Sequence, residues 1–140
     1  MKDPYKEGMF KNNPYAKKKP VKGIIKVVLD GIYDERGLNL IVQPSRCLLK
    51  NEIHELILTT EEVKPGDGVN KIAYLGFFEV TEGSVAVYGD PVKIGGKQVG
   101  VIAGYDETHF PNHYNIVVKG TELLSGKDRL LELDMEVEIG

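Results

Sequence analysis

The chain is predicted to be all-β: a small closed or half-closed β-barrel with an irregular, basic N-terminal extension. Three observations predict this. Short β-branched runs recur roughly every eight to twelve residues, the spacing of a barrel or sandwich. Sixteen glycines and seven prolines punctuate those runs with turn signals. At the C-terminus Leu131, Leu133, Met135, Val137 and Ile139 alternate with Glu132, Asp134, Glu136 and Glu138. That period of two puts the apolar side chains on one face of a strand and the carboxylates on the other.

Taken in order, residues 1–22 read as the extension. Asp3-Pro4-Tyr5 and Asn12-Asn13-Pro14-Tyr15 are turn signals, and Lys17-Lys18-Lys19-Pro20 is a charged breaker. Tyr5, Phe10 and Tyr15 are the residues that would hold this arm to the body. Residues 23–140 form the single barrel domain, as a chain of 140 residues allows. Ile24 to Leu29 is the first strand. Asp34 to Gly37 is a turn, and Leu38 to Val42 a second strand. Residues 45–58 fit two descriptions. Leu49, Ile53, Leu56 and Ile57 share a helical face with Ser45 as cap, while Glu52 to Thr59 reads as a strand. Val63 to Gly68 is a strong turn before a central strand, Ile72 to Val80. Thr81-Glu82-Gly83 and Gly89-Asp90-Pro91 turn into Val85 to Tyr88 and Val92 to Ile94. Gly95-Gly96 makes a tight hairpin to Gln98 to Ile102.

Charge and cysteine content limit the function classes. The arm carries seven lysines against Asp3 and Glu7, a net of +5; with −3 for the whole chain, residues 23–140 are left at −8. The plain reading of such an arm is a solvated leader, and the alternative is contact with an acidic partner, nucleic acid or a membrane surface. The arm has no arginine and the body is acidic, which argues against nucleic acid. No apolar run approaches the ~18 residues of a membrane helix, and the N-terminus has no apolar leader segment. The lone Cys47 cannot form an internal disulfide and is expected to pack in the core, so a reducing cytoplasm is the expected compartment. The acidic ladder of the last strand reads as a solvated face that discourages edge association, or as a docking strip for a basic partner.

The segment from Asp106 to Asn115 concentrates the polar chemistry. It holds two of the chain's three histidines, Asp106, Glu107, Asn112 and Asn115, set between two apolar runs. His109 and His113 have the i, i+4 spacing of a helical zinc pair, but Pro111 between them opposes a helix. In a loop they can still converge with Asp106 or Glu107 on a metal, or hydrogen-bond a small polar ligand. His54, flanked by Glu52 and Glu55, is the remaining candidate, as a phosphoryl acceptor or proton carrier. Arg46 beside Cys47 could lower the thiol's pKa. The chain has no P-loop, dinucleotide fingerprint, nucleophile elbow or paired-cysteine metal spacing, and Gly95-Gly96-Lys97 is a hairpin tip rather than a phosphate cradle.

Ile72-Ala73-Tyr74-Leu75-Gly76, Val99 to Asp106, and Phe110-Pro111-Asn112 leading into Asn115-Ile116-Val117 resemble the sorbitol (glucitol)-specific IIA component of the bacterial sugar phosphotransferase system. Val63-Lys64-Pro65-Gly66-Asp67 is similar to that family's turn before the first of these strands. Ile53-His54 resembles the region where it places histidines. The resemblance implies a small all-β phosphocarrier. The chain departs from it where the family's Gly-His reads Gly100-Val101, and where its His-Val reads Asn115-Ile116. The likeness therefore bears on the barrel more than on phosphotransfer.

Three functions are thus expected in descending order. The first is a non-enzymatic binding or accessory module without a cofactor. Its loop site at 104–115 is lined by Asp106, Glu107, His109, Asn112, His113 and Asn115, for a small polar ligand or a protein partner. The second is a phosphocarrier in which His54 or a histidine of the loop accepts the phosphoryl group. The third is a zinc- or other metal-dependent enzyme using His109, His113 and Asp106. Self-association is left open.

Overall fold

The computed structural model describes residues 14–140. The expectations for Tyr5, Phe10 and the lysines before Pro14 lie outside the described residues. Within them there is no helix. The strands are β1 (Val21–Val28), β2 (Ile32–Tyr33), β3 (Leu38–Asn39), β4 (Ser45–Leu48), β5 (Ile53–Thr59), β6 (Gly68–Val69), β7 (Ile72–Glu82), β8 (Ser84–Val87), β9 (Pro91–Ile94), β10 (Lys97–Asp106), β11 (Asn115–Lys119) and β12 (Glu136–Ile139).

Hydrogen bonding runs β1-β12-β9-β10-β11-β5-β7, and β7 pairs back to β1, so these seven strands form a ring. All ring pairings are antiparallel except β11 with β5. β2 adds to β7 outside the ring, while β3 with β6 and β4 with β8 make two short ribbons. Glycine permits the closure. A Cβ on Gly76 would lie 2.2 Å from the Val27 carbonyl oxygen, and one on Gly23 would lie 2.4 Å from that of Glu79. Both are backbone contacts, so β1 and β7 can approach this closely only without side chains there. Gly95 and Gly96, both at positive φ, make the expected tight hairpin.

The main core fills the ring and includes Ile25, Leu48, Leu56, Leu58, Leu75, Phe78, Ile102, Tyr105, Ile116, Val118 and Ile139. A second cluster of Leu38, Leu40, Ile57, Val69, Ile72, Ala103 and Val117 joins β3 and β6 to the outer side of the ring. Strands β5 and β11 are therefore buried on both faces, which is why Leu56-Ile57-Leu58 and Ile116-Val117-Val118 are apolar without alternation.

Several expectations are corrected. The helical reading of 45–58 gives way to β4, a turn and β5. The strand expected over 38–42 is only Leu38–Asn39 plus a bridge from Leu40 to Asp106. The turn expected at Thr81-Glu82 is the end of β7. The C-terminal strand covers Glu136–Ile139 alone, because a turn closes from Glu132 to Met135 and Asp134 takes φ +69°. Leu133 is consequently 62% exposed, and the acidic ladder is interrupted. Its Glu138 lies in register between Lys22 and Lys93, so opposite charge rather than solvent alone flanks it. Val21, within the expected arm, is fully buried, and Lys18 bonds Asp90 at 2.8 Å.

Candidate functional site

Register places Val27, Phe77, Glu55, Asn115 and Asp106 in one row across β1, β7, β5, β11 and β10, each the partner of the next. Their neighbours Ile25, Phe78, Leu56, Ile116 and Tyr105 all belong to the main core. The row therefore faces outward. Residues 107–114 leave the row at Asp106, fold over it, and return at Asn115.

The loop is fastened at both ends. Asp106 accepts from the Asn39 N–H at 2.9 Å, the Thr108 N–H at 2.9 Å and Asn115 Nδ2 at 3.1 Å. Burial alone would raise its carboxyl, but Thr108, Asn39 and Asn115 more than offset this and hold it below the usual range. Glu107 pairs with Arg46 of β4, whose guanidinium lies 4.7 Å from the Tyr114 ring centroid. Inside the loop the Asn112 N–H donates to the His109 carbonyl at 2.9 Å. The Phe110–Pro111 peptide is cis.

His54 is only 3% exposed, and its ring stacks on Tyr114 at 5.3 Å. The Tyr114 N–H donates to Nδ1 at 3.0 Å, so the proton of the neutral ring sits on Nε2, 3.1 Å from Glu52 Oε1. Glu52 Oε1 also accepts the Leu49 N–H at 2.8 Å. Burial works to raise Glu52, yet the Leu49 N–H and then His54 prevail and lower it. Phe110, 55% exposed, stacks on Tyr114 at 5.3 Å.

His113 packs edge-on against Phe77 at 5.1 Å and lies 5.2 Å from the His109 ring. Its Nε2 is buried without a hydrogen bond, 3.4 Å from Glu55 Oε1. Burial pushes the Glu55 carboxyl up to about 7, against the pull of Arg36 and with a smaller push from Asp106. Burial also lowers His113, helped by His109 and opposed by Asn115. Burial thus favours the protonated carboxyl and the neutral imidazole side by side. Asn115 Oδ1 is a further buried oxygen without a partner.

These side chains border a cleft of about 610 Å³ between the loop and the ring. Lys26, Asn51, Glu52, His54, Phe77, Phe110, Asn112, His113 and Tyr114 line it, with Val27, Ile53 and Pro111. Of the expected residues, His54, Asn112 and His113 lie on the cleft, and His109 backs His113. Asp106, Glu107 and Asn115 are not among the residues lining it; their hydrogen bonds and ion pair fasten the loop. His54 is likewise not the exposed imidazole that phosphoryl acceptance requires, because both nitrogens are engaged. Among the described residues no three His, Cys, Asp or Glu side chains gather where they could hold a metal ion. Cys47 is exposed rather than packed in the core, and Arg46 beside it is committed to Glu107. Sequence reasoning missed the aromatic walls Phe77 and Tyr114 and the clamp Arg46. Only the doublet Phe77-Phe78 signalled that one of two adjacent aromatics must face outward.

A match to a family of unknown function (DUF6917) runs over residues 15–140. The chain belongs to that family. No curated protein and no solved structure matches it. Among the described residues of this DUF6917 protein no helix is long and apolar enough to cross a membrane.

Proposed function

We propose that this chain is a non-enzymatic binding module. Its strand ring serves as a barrel scaffold, and a small molecule is held in the cleft under the 107–114 loop. The observation that carries this reading is convergence: His54 from β5 meets His113 and His109 from the loop at one aromatic-walled cleft. The cleft's volume falls in the range of about 300–1,000 Å³ usual for small-molecule sites, and its apolar walls with a few fixed polar groups fit that class. The described residues lining it include no Ser, Thr or Cys to serve as a nucleophile. His54 has no free ring nitrogen, which favours binding over phosphoryl transfer.

Thermal unfolding tests the reading with three probes: phenethylamine, 2-phenylethanol and 3-phenylpropanoate. At least one should raise the melting temperature of the native protein. The His109→Ala/His113→Ala double variant, its fold checked by circular dichroism, should lose that rise. An equal rise in the double variant, or no rise with any probe, would overturn the proposal.

A further inference from the structure

We infer that the cleft is built for an organic cation, an ammonium group carried on an aromatic or alkyl body. This rests on the binding-module reading above and adds the charge class of the ligand.

Glu52 lines the cleft. Both hydrogen bonds that its carboxylate accepts, from the Leu49 N–H and the His54 ring, fall on Oε1. Among the described residues Oε2 accepts none, and the side chain remains 38% exposed. A carboxylate oriented by two donors and left with one open oxygen presents a fixed negative charge to whatever enters. His54 cannot reverse this arrangement. Its Nδ1 is occupied by a backbone donor, so its Nε2 proton stays directed at Glu52.

Phe77, Phe110 and Tyr114 line the same cleft as Glu52. Aromatic faces attract cations; the Tyr114 ring is already covered by His54, Phe110 and Arg46, so Phe110 and Phe77 are the rings beside the carboxylate that an ammonium group would meet. Phe110 is the large aromatic most open to solvent at this cleft, at 55%. It stacks on Tyr114 at 5.3 Å and leaves its other face open to whatever enters the cleft.

Lys26 is the only Lys or Arg among the described lining residues, and its ammonium lies 3.5 Å from Glu79. Arg46, behind Tyr114, is paired with Glu107. Neither is paired with Glu52. Residues 23–140 carry a net charge of −8, a field that draws cations toward the body and repels anions.

Titration calorimetry at neutral pH tests the inference with the same three probes, which share a phenyl body and differ in charge. The phenethylammonium ion should bind about tenfold more tightly than 2-phenylethanol, and 3-phenylpropanoate more weakly than either. Glu52→Gln keeps an oxygen for Leu49 and His54, and should abolish the preference for the amine while sparing 2-phenylethanol. Phe110→Leu, which keeps apolar area and removes the ring, should also weaken the amine selectively. If the alcohol or the acid binds as tightly as the amine, and that binding is lost in the His109→Ala/His113→Ala variant, the binding module stands and the cation class falls. An amine preference that survives Glu52→Gln in a protein of unchanged melting temperature also overturns the inference. Binding of none of the three contradicts both readings.

Discussion

His113 Nε2 stands 3.4 Å from Glu55 Oε1, and the same burial moves the two groups in opposite directions. The folded Glu55 carboxyl holds its proton up to about 7, against 4.5 as a free side chain. The folded state therefore binds more protons between those values, and stability falls as pH rises through that window. Its contribution is fully present below 4.5 and lost above about 7, worth about 3 kcal/mol at most. His113 works the other way: its neutral ring is favoured, so its contribution is present above 6.5 and lost as pH falls through its depressed folded value. Glu55→Gln should flatten the decline between pH 4.5 and 7 in urea-unfolding free energies; parallel curves for variant and native protein would contradict the assignment. The sequence does place Glu52 and Glu55 beside His54, and Glu52 does orient it. It does not reveal that Glu55 serves another histidine. A strand turns successive side chains to opposite faces, so Glu55 points away from His54 toward the loop that brings His113.

Among the elements, legibility followed length and turn punctuation. Strands β1, β7, β9 and β10 and the Gly95-Gly96 hairpin can be read from β-branched runs and turn residues. Strand β5 could not be separated from a helix, because burial on both faces erases the period that distinguishes them. The C-terminal alternation misled for a local reason: Asp134 at φ +69° breaks a strand whose side-chain pattern is otherwise continuous. Glycine controls the contact between β1 and β7. Gly76→Ala would drive a methyl group into the Val27 carbonyl at 2.2 Å and should cost about 2–3 kcal/mol. Gly68→Ala meets its nearest atom at 3.7 Å without a positive φ, and should change stability by less than about 0.5 kcal/mol. Denaturant midpoints for the two variants check this; equal shifts would mean that close approach at Gly76 does not govern the closure.

At the scale of the molecule, the site arises where chain segments distant in sequence meet. The row Val27, Phe77, Glu55, Asn115 and Asp106 draws on five strands, and the loop closes over it. The richness of residues 106–115 in His, Asn and Asp marks the location from sequence alone. The division of labour within it depends on the register of strands up to eighty residues apart, which no local pattern encodes. Hence Asp106, Glu107 and Asn115 prove to be anchors, while Glu52, Phe77 and Tyr114 join the cleft. Two other grooves are present among the described residues, one beside Lys22 and Lys93 and one beside Leu124 and Met135, and they provide an internal comparison. The most direct measurement is an amide chemical-shift map of the ¹⁵N-labelled protein titrated with phenethylamine. The account predicts saturable shifts at Asn51 to His54, Phe77 and Phe110 to Tyr114, with the amides of both grooves still. Shifts centred on either groove, with His54 and His113 unmoved, would contradict it.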